Sequence, residues 1–320
     1  AVSISPRVCH DNTRRPLDCD LPRGRSSLCE LASAMKARNF RYVRPATLQD
    51  AYRILSDPDA VPVAGGQSLL AGLNMRLSSP KVLVDIGNLK ELTGQTVTDG
   101  VVRLGALTRH REVLGSELVR KHLPLLSLAL PYVGHVAIRN RGTLGGSLAY
   151  ADPAAELPAC TVALDATLVL GSTGGEREVK AEDFFKGLFE TDLKTGELIM
   201  AVKFPAVPPG TSVGFAELSR RRGDFAIAGV AAVAAIRDDR IASARIVYLG
   251  CVDRAKVARS VSASVIGHPA RFTDHLAFED SVRQDLSPDD MPGLRADTRI
   301  HMATVLTRRV LNTLSEKAAA

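Results

Sequence analysis

Tryptophan is absent, and Phe, Trp and Tyr together make up only 4% of the 320 residues. A chain so poor in aromatic rings lacks the stacking platforms that bind single-stranded nucleic acid. Concentrated positive charge is also missing. The formal net charge is +6, and half of it falls in residues 1–38, where seven Lys or Arg face four Asp or Glu. The rest of the chain is nearly neutral, which excludes a phosphate-backbone binder and leaves nucleic acid out as a partner. Cysteine is scarce and poorly spaced. Cys9, Cys19, Cys29, Cys160 and Cys251 form no Cys-x-x-Cys pair, and His10 is the only histidine near the first three. That argues against a disulfide framework, a structural zinc site and an iron–sulfur ligand set on this chain. No apolar run is long enough for a membrane span or a signal peptide core, so the expected location is cytoplasmic.

What remains is an ordinary globular composition, 45% hydrophobic and 24% charged. The length suits two domains at roughly 150 residues each. Residues 1–38 are polar, rich in Arg, Pro and Ser, and without sustained periodicity; they read as an N-terminal extension. Met35 opens the phrase that leads into the body. Thr47 is placed to cap a helix whose Leu48, Ala51, Tyr52 and Leu55 share one face. A strand at Val61–Ala64, a helix from Ser68 to about Leu77 and a strand at Lys81–Ile86 follow. Gln95–Leu104 reads as a hairpin around Asp99-Gly100. Thr108 starts a helix, a second runs from Glu117 to Val133, and Arg141–Gly146 reads as a glycine turn. Strands are expected at Val162–Leu170, Glu176–Lys180 and Leu198–Phe204. Pro205, Pro208, Pro209 and Gly210 mark a boundary, giving a first unit over 39–207 and a smaller α+β unit over 208–320. In the latter, Ala226–Ile236 and Arg245–Cys251 read as β, and 255–266 and 297–317 as helix.

Four segments carry candidate chemistry. Ala64-Gly65-Gly66-Gln67-Ser68 follows a strand and precedes a helix; it is either a plain tight turn or a bend whose amides converge on an anion. Thr143-Leu144-Gly145-Gly146-Ser147, ~80 residues on, repeats the diglycine beside hydroxyls and the Arg139–Arg141 pair. Together the two bends could grip the two phosphates of one diphosphate ligand. Asp152 and Glu156 lie four apart in apolar surroundings, either as helix-start anions or as acceptors for ligand hydroxyls. Arg220-Arg221-Arg222-Gly223-Asp224-Phe225 precedes a buried strand and reads as a loop held at an interface.

The two glycine segments and the arginine loop, with Leu104-Gly105-Ala106-Leu107-Thr108 and Ile138-Arg139-Asn140-Arg141-Gly142, resemble the FAD-binding medium subunit of the molybdenum hydroxylases, the carbon monoxide dehydrogenase and xanthine dehydrogenase type. The resemblance runs from about Asn39 to Ser315. It implies a two-part FAD-binding domain of the vanillyl-alcohol-oxidase-like (PCMH-type) class followed by an α+β C-terminal domain. It places FAD, held non-covalently, on Ala64, Gly65, Gly66, Gln67 and Ser68 and on Thr143, Leu144, Gly145, Gly146 and Ser147. Glu156 falls near the ribityl chain, Ile199 near a cofactor-packing position, and Phe225 over one face of the flavin ring. Ser147 replaces a frequent Asn, and Phe225 stands where some relatives carry Tyr. No catalytic acid or base and no metal ligand is expected here. The implied partners are a large molybdopterin subunit and a small subunit with [2Fe–2S] clusters, assembled as a dimer of heterotrimers. Electrons would pass from those clusters through FAD to an external acceptor. A self-sufficient flavin oxidoreductase, with His110 or His135 as its titrating group, and an interaction module that has lost FAD are the competing readings.

Overall fold

The computed structural model describes residues 36–269, 278–291 and 293–318. Cys9, His10, Cys19, Cys29, Met35 and nearly all of the 1–38 extension lie outside the described residues.

The chain opens with a small parallel sheet. Strands β1 (Arg41–Val43), β2 (Ala60–Val63) and β3 (Val82–Asp85) pair in the order β1-β3-β2. Helix α1 (Leu48–Leu55) joins the first two strands. Its cap is the expected one: Thr47 accepts from the Asp50 amide at 3.1 Å, and Ala51, Tyr52 and Leu55 are buried. Helix α2 (Leu69–Asn74) leads from β2 towards β3.

A five-stranded antiparallel sheet follows, β4 (Gln95–Thr98), β5 (Val101–Gly105), β6 (Thr167–Ser172), β7 (Gly175–Lys180) and β10 (Leu198–Pro205), in the order β4-β5-β10-β6-β7. Asp99 and Gly100, at φ 48° and 74°, make the left-handed hairpin turn that the sequence calls for. A two-stranded ribbon, β8 (Phe185–Gly187) and β9 (Glu190–Thr191), lies between β7 and β10.

Between β5 and β6 run six short helices: α3 (His110–Gly115), α4 (Glu117–His122), α5 (Pro124–Ala129), α6 (Val136–Arg141), α7 (Leu144–Tyr150) and α8 (Glu156–Ala163). Three expectations are corrected here. The single helix expected over Glu117–Val133 breaks at Leu123 (ψ 54°), because Pro124 supplies no N–H and disfavours helical geometry before it. The glycine turn at Arg141–Gly146 is instead the end of α6 and the first turn of α7, capped by Thr143. The strand expected from Val162 starts at Thr167, and Val162 belongs to α8. All eight residues of α8 are buried, so the segment carries no amphipathic period to betray it.

Helix α9 (Ala181–Phe184) follows β7. Beyond β10, strands β11 (Thr211–Leu218), β12 (Ala228–Arg237) and β13 (Arg240–Leu249) form an antiparallel sheet in sequence order. Helices α10 (Arg259–Val265), α11 (Glu279–Asp285) and α12 (Ala296–Ala318) complete the chain. Val230, Ile246 and Tyr248 of this sheet share a core with Leu306, Val310 and Leu311 of α12, and the Tyr248 hydroxyl bonds Thr307 at 2.8 Å. β1, α6, α9, β8, β9, β11 and α11 carried no expectation; each is short or lacks a clear period.

Candidate functional site

A cleft of about 740 Å³ opens where the parallel sheet, the α6–α8 segment and the loops before β10 and β12 meet. Its floor begins at the end of β2. There Gly66 has φ +71°, a conformation that side chains resist. Gly65 is pressed on the other bend: a Cβ on it would lie 2.1 Å from the Arg141 carbonyl oxygen and 3.0 Å from Gly142 Cα. The Gln67 side-chain amide donates to the Gly65 carbonyl at 3.0 Å and pins the bend. The two glycine segments therefore touch, although far apart in sequence.

Their backbone groups are not equivalent. Among the described residues nothing accepts from the amides of Gly66, Gln67 and Ser68. In the second segment four of the five amides are taken. Leu144 donates to the Thr108 carbonyl (2.9 Å), Gly145 to the Ala106 carbonyl (2.8 Å), Gly146 to Thr143 Oγ1 (3.2 Å) and Ser147 to the Thr143 carbonyl (3.1 Å). The first bend offers donors; the second offers bare backbone and hydroxyls.

Ala64, Gly65, Gly66, Gln67, Ser68, Thr143, Gly145, Gly146, Ser147, Glu156, Ile199 and Phe225 all line this cleft. Leu144 does not; it is fully buried in the core beside Leu148. Ile199 is 5% exposed and sits at an irregularity in the β10–β6 pairing. Phe225, 66% exposed, stands at the edge of the cleft on the loop between β11 and β12. His110 also lines it, beneath the second bend, with Nε2 3.0 Å from the Thr143 carbonyl. Burial drives its pKa down to about 4, so the ring is neutral. His135 is exposed and does not line the cleft.

Glu156 starts α8 and is 8% exposed. Burial first, then neighbouring Asp152, raises its pKa from 4.5 to about 7, against its own amide and the Arg139 charge. Glu217 on β11 has both carboxyl oxygens buried without a partner, and burial, followed by the Glu156 charge, raises it to about 8. Both carboxyls therefore hold their protons to higher pH than an exposed carboxyl does. Asp152 is pushed up by burial and accepts from the Ala154 amide at 2.9 Å, shaping the turn before α8 rather than capping the helix.

One wall escaped the sequence reading. The loop Leu193-Lys194-Thr195-Gly196-Glu197-Leu198 lines the cleft, as do Leu107, Ile138 and Tyr150. The loop has no glycine pair, no nucleophile and no periodicity, so nothing local marks it. Among the described residues no group of three or more His, Cys, Asp or Glu is placed to hold a metal ion. No helix there is long and apolar enough to cross a membrane.

The cleft suits a flavin dinucleotide. Its volume lies in the range of about 300–1,000 Å³ typical of cofactor sites. It combines unsatisfied amides at a bend, where an anion is welcome, with a buried carboxyl and apolar walls.

Residues 38–207 match the FAD binding domain in molybdopterin dehydrogenase, and residues 214–314 match the CO dehydrogenase flavoprotein C-terminal domain. The fold is thus that of the PCMH-type FAD proteins, with a C-terminal α+β domain. The chain is 37% identical over 280 residues to the 6-hydroxypseudooxynicotine dehydrogenase complex subunit alpha of Paenarthrobacter nicotinovorans, covering 87% of this chain and 95% of that protein. It is 39% identical over 229 residues to the glyceraldehyde dehydrogenase medium chain of Sulfolobus acidocaldarius, covering 71% and 81%. Among solved structures, a chain of carbon monoxide dehydrogenase from Hydrogenophaga pseudoflava superposes with a TM-score of 0.84 at 31% identity, covering 89% of this chain and 99% of that one. The chain belongs to the FAD-binding medium subunits of the molybdenum hydroxylase family. It is the FAD-carrying part of a molybdenum-dependent oxidoreductase.

Proposed function

We propose that this chain is the electron-transfer subunit of a molybdenum-containing hydroxylase or dehydrogenase. Its partners are a large molybdopterin subunit, where substrate is oxidised, and a small [2Fe–2S] subunit, in a dimer of heterotrimers. When bound, FAD supplies the redox chemistry that links those clusters to an external acceptor. The chain's own residues bind and orient the cofactor. Amides of Gly66, Gln67 and Ser68 would receive the diphosphate, and bare backbone at Gly145 and Gly146 leaves room for it. Thr143, Ser147 and Glu156 would meet the ribityl hydroxyls, while Ile199 and Phe225 would border the ring. Residues 39–207 form the cofactor unit in this reading, and 208–320 the unit that supplies Phe225.

The observation that carries the proposal is the meeting of both diglycine segments in one cleft. The names of the relatives, a medium chain and a complex subunit, support a multi-subunit assembly. So does the exposure of Val136 (63%), Leu188 (64%), Phe189 (50%) and Phe225 (66%), apolar side chains that water disfavours. Native mass spectrometry of the endogenous complex, with flavin and metal analysis, tests it. FAD is expected on this chain, with molybdenum and iron on co-purifying chains. A solitary FAD-loaded chain that turns over an organic donor would establish the self-sufficient oxidoreductase instead.

A further inference from the structure

The cleft wall formed by Leu193–Ile199 is held by a residue that does not line the cleft. Arg177 lies on β7, the edge strand of the five-stranded sheet. Its Nε and Nη2 meet Glu197 Oε1 and Oε2, each at 2.7 Å. Its Nη1 donates to Asp192 Oδ2 at 2.7 Å, and Nη2 donates to the Asp192 carbonyl at 2.6 Å. Glu197 also accepts from the Lys194 amide at 2.9 Å, so the same carboxylate closes the loop on itself.

This cluster differs from a loose surface pair. The Glu197 side chain is 9% exposed, Asp192 28% and Arg177 31%. Hydrogen bonding from Arg177 holds both carboxyls below their usual range. Exposed ion pairs contribute little because water competes for both charges, whereas a bidentate fork on a half-buried carboxylate fixes geometry. The loop needs such a device. Between Asp192 and Leu198 it offers the core a single apolar side chain, Leu193, and Gly196 has φ +85°. Apolar packing is slight there; Lys186, 3.5 Å from Asp192, and the Asp192 amide bond to the Phe184 carbonyl hold only the start of the loop, whereas the guanidinium ties Asp192 to Glu197 at its far end.

We propose that Arg177 is a positioning residue for the cofactor: by clamping Asp192 and Glu197 it fixes the Leu193–Ile199 wall of the flavin cleft. The proposal rests on the reading of that cleft as the FAD site. A lysine cannot reproduce it, because an ammonium lacks the planar fork that engages both Glu197 oxygens while holding Asp192.

The test uses the full chain in its native complex and three variants: Arg177→Met, Arg177→Lys and Gly66→Val. The FAD dissociation constant, the visible circular dichroism of bound flavin and the thermal midpoint are measured on each. Arg177→Met is expected to raise the dissociation constant at least 10-fold and to change the dichroism, with Arg177→Lys intermediate. A merely structural arginine would lower the midpoint and leave both flavin readouts alone, and that result overturns the proposal. If Gly66→Val loses FAD while Arg177→Met binds it normally, the clamp is refuted and the cleft reading stands. If Gly66→Val binds FAD like the parent, the cleft reading falls and the clamp with it. Should Arg177→Met fail to fold, Glu197→Gln removes the charge under the fork and decides by the same readouts; an unchanged dissociation constant and dichroism there refute the clamp.

Discussion

Gly65→Ala probes the contact on which the cleft depends. The added Cβ would fall 2.1 Å from the Arg141 carbonyl oxygen and 2.8 Å from its carbon, whereas ordinary contact begins at 3.4 Å. Both obstacles are backbone, so no side-chain rotation relieves the clash. The bends must part by roughly 1 Å, at a cost of about 1–3 kcal/mol for overpacking. The larger effect falls on the ligand. A charged group hydrogen-bonded to a backbone amide is stabilised by about 1.5–3 kcal/mol per bond. Misplacing one amide of Gly66, Gln67 or Ser68 should therefore weaken FAD binding by about 10- to 100-fold. Gly72→Ala is the control. Gly72 lies in α2 with nothing within 4 Å of its would-be Cβ. Replacing it should stabilise the chain by about 0.5–1 kcal/mol and leave FAD affinity alone. Flavin fluorescence titration with parallel thermal melts reads both quantities. Wild-type affinity in Gly65→Ala would refute the claim that contact between the bends shapes the site.

Phe225→Ala should shift the flavin reduction potential or its reaction rate with the acceptor, with little change in thermal midpoint, because the side chain is 66% exposed; an unchanged potential and rate would remove Phe225 from the site. Glu156 carries a pH dependence whose sign is fixed. Its pKa is about 7 in the fold against 4.5 ordinarily, so the native state keeps a proton that the unfolded chain has released. Its contribution is complete below about pH 4.5 and is lost as pH rises through about 7. His110, lowered from 6.5 to about 4, works in the opposite sense, its share of stability being complete only above about pH 6.5. The check is thus a difference: wild type should lose stability relative to Glu156→Gln between pH 4.5 and 7 in urea melts, and parallel curves would contradict the assignment.

Several elements were legible because their determinants lie within a few residues. The Thr47 cap and the one-sided apolar stripe of α1, and the Asp99-Gly100 turn, are local chemistry, and the structure reproduces them. The resemblance carried by the glycine segments named the family. Nothing local could reveal α8, whose eight residues are buried on every side. The break at Pro124 is written in the sequence, since a proline inside an expected helix withholds an N–H and disfavours helical geometry just before it.

The Thr47 cap, the Asp99-Gly100 turn, the two diglycine phrases and the scarcity of paired cysteines belong to the amino-acid sequence alone, since each depends on neighbours a few positions away. Tertiary structure decided that Gly65 rests on Arg141 and that one bend keeps three successive amides free while the other spends those of Leu144 to Ser147. It also decided that Glu156 and Glu217 share a dry setting, and that Arg177 reaches Asp192 and Glu197. Desolvation and close backbone approach arise only when distant segments pack together, so no stretch of sequence contains them.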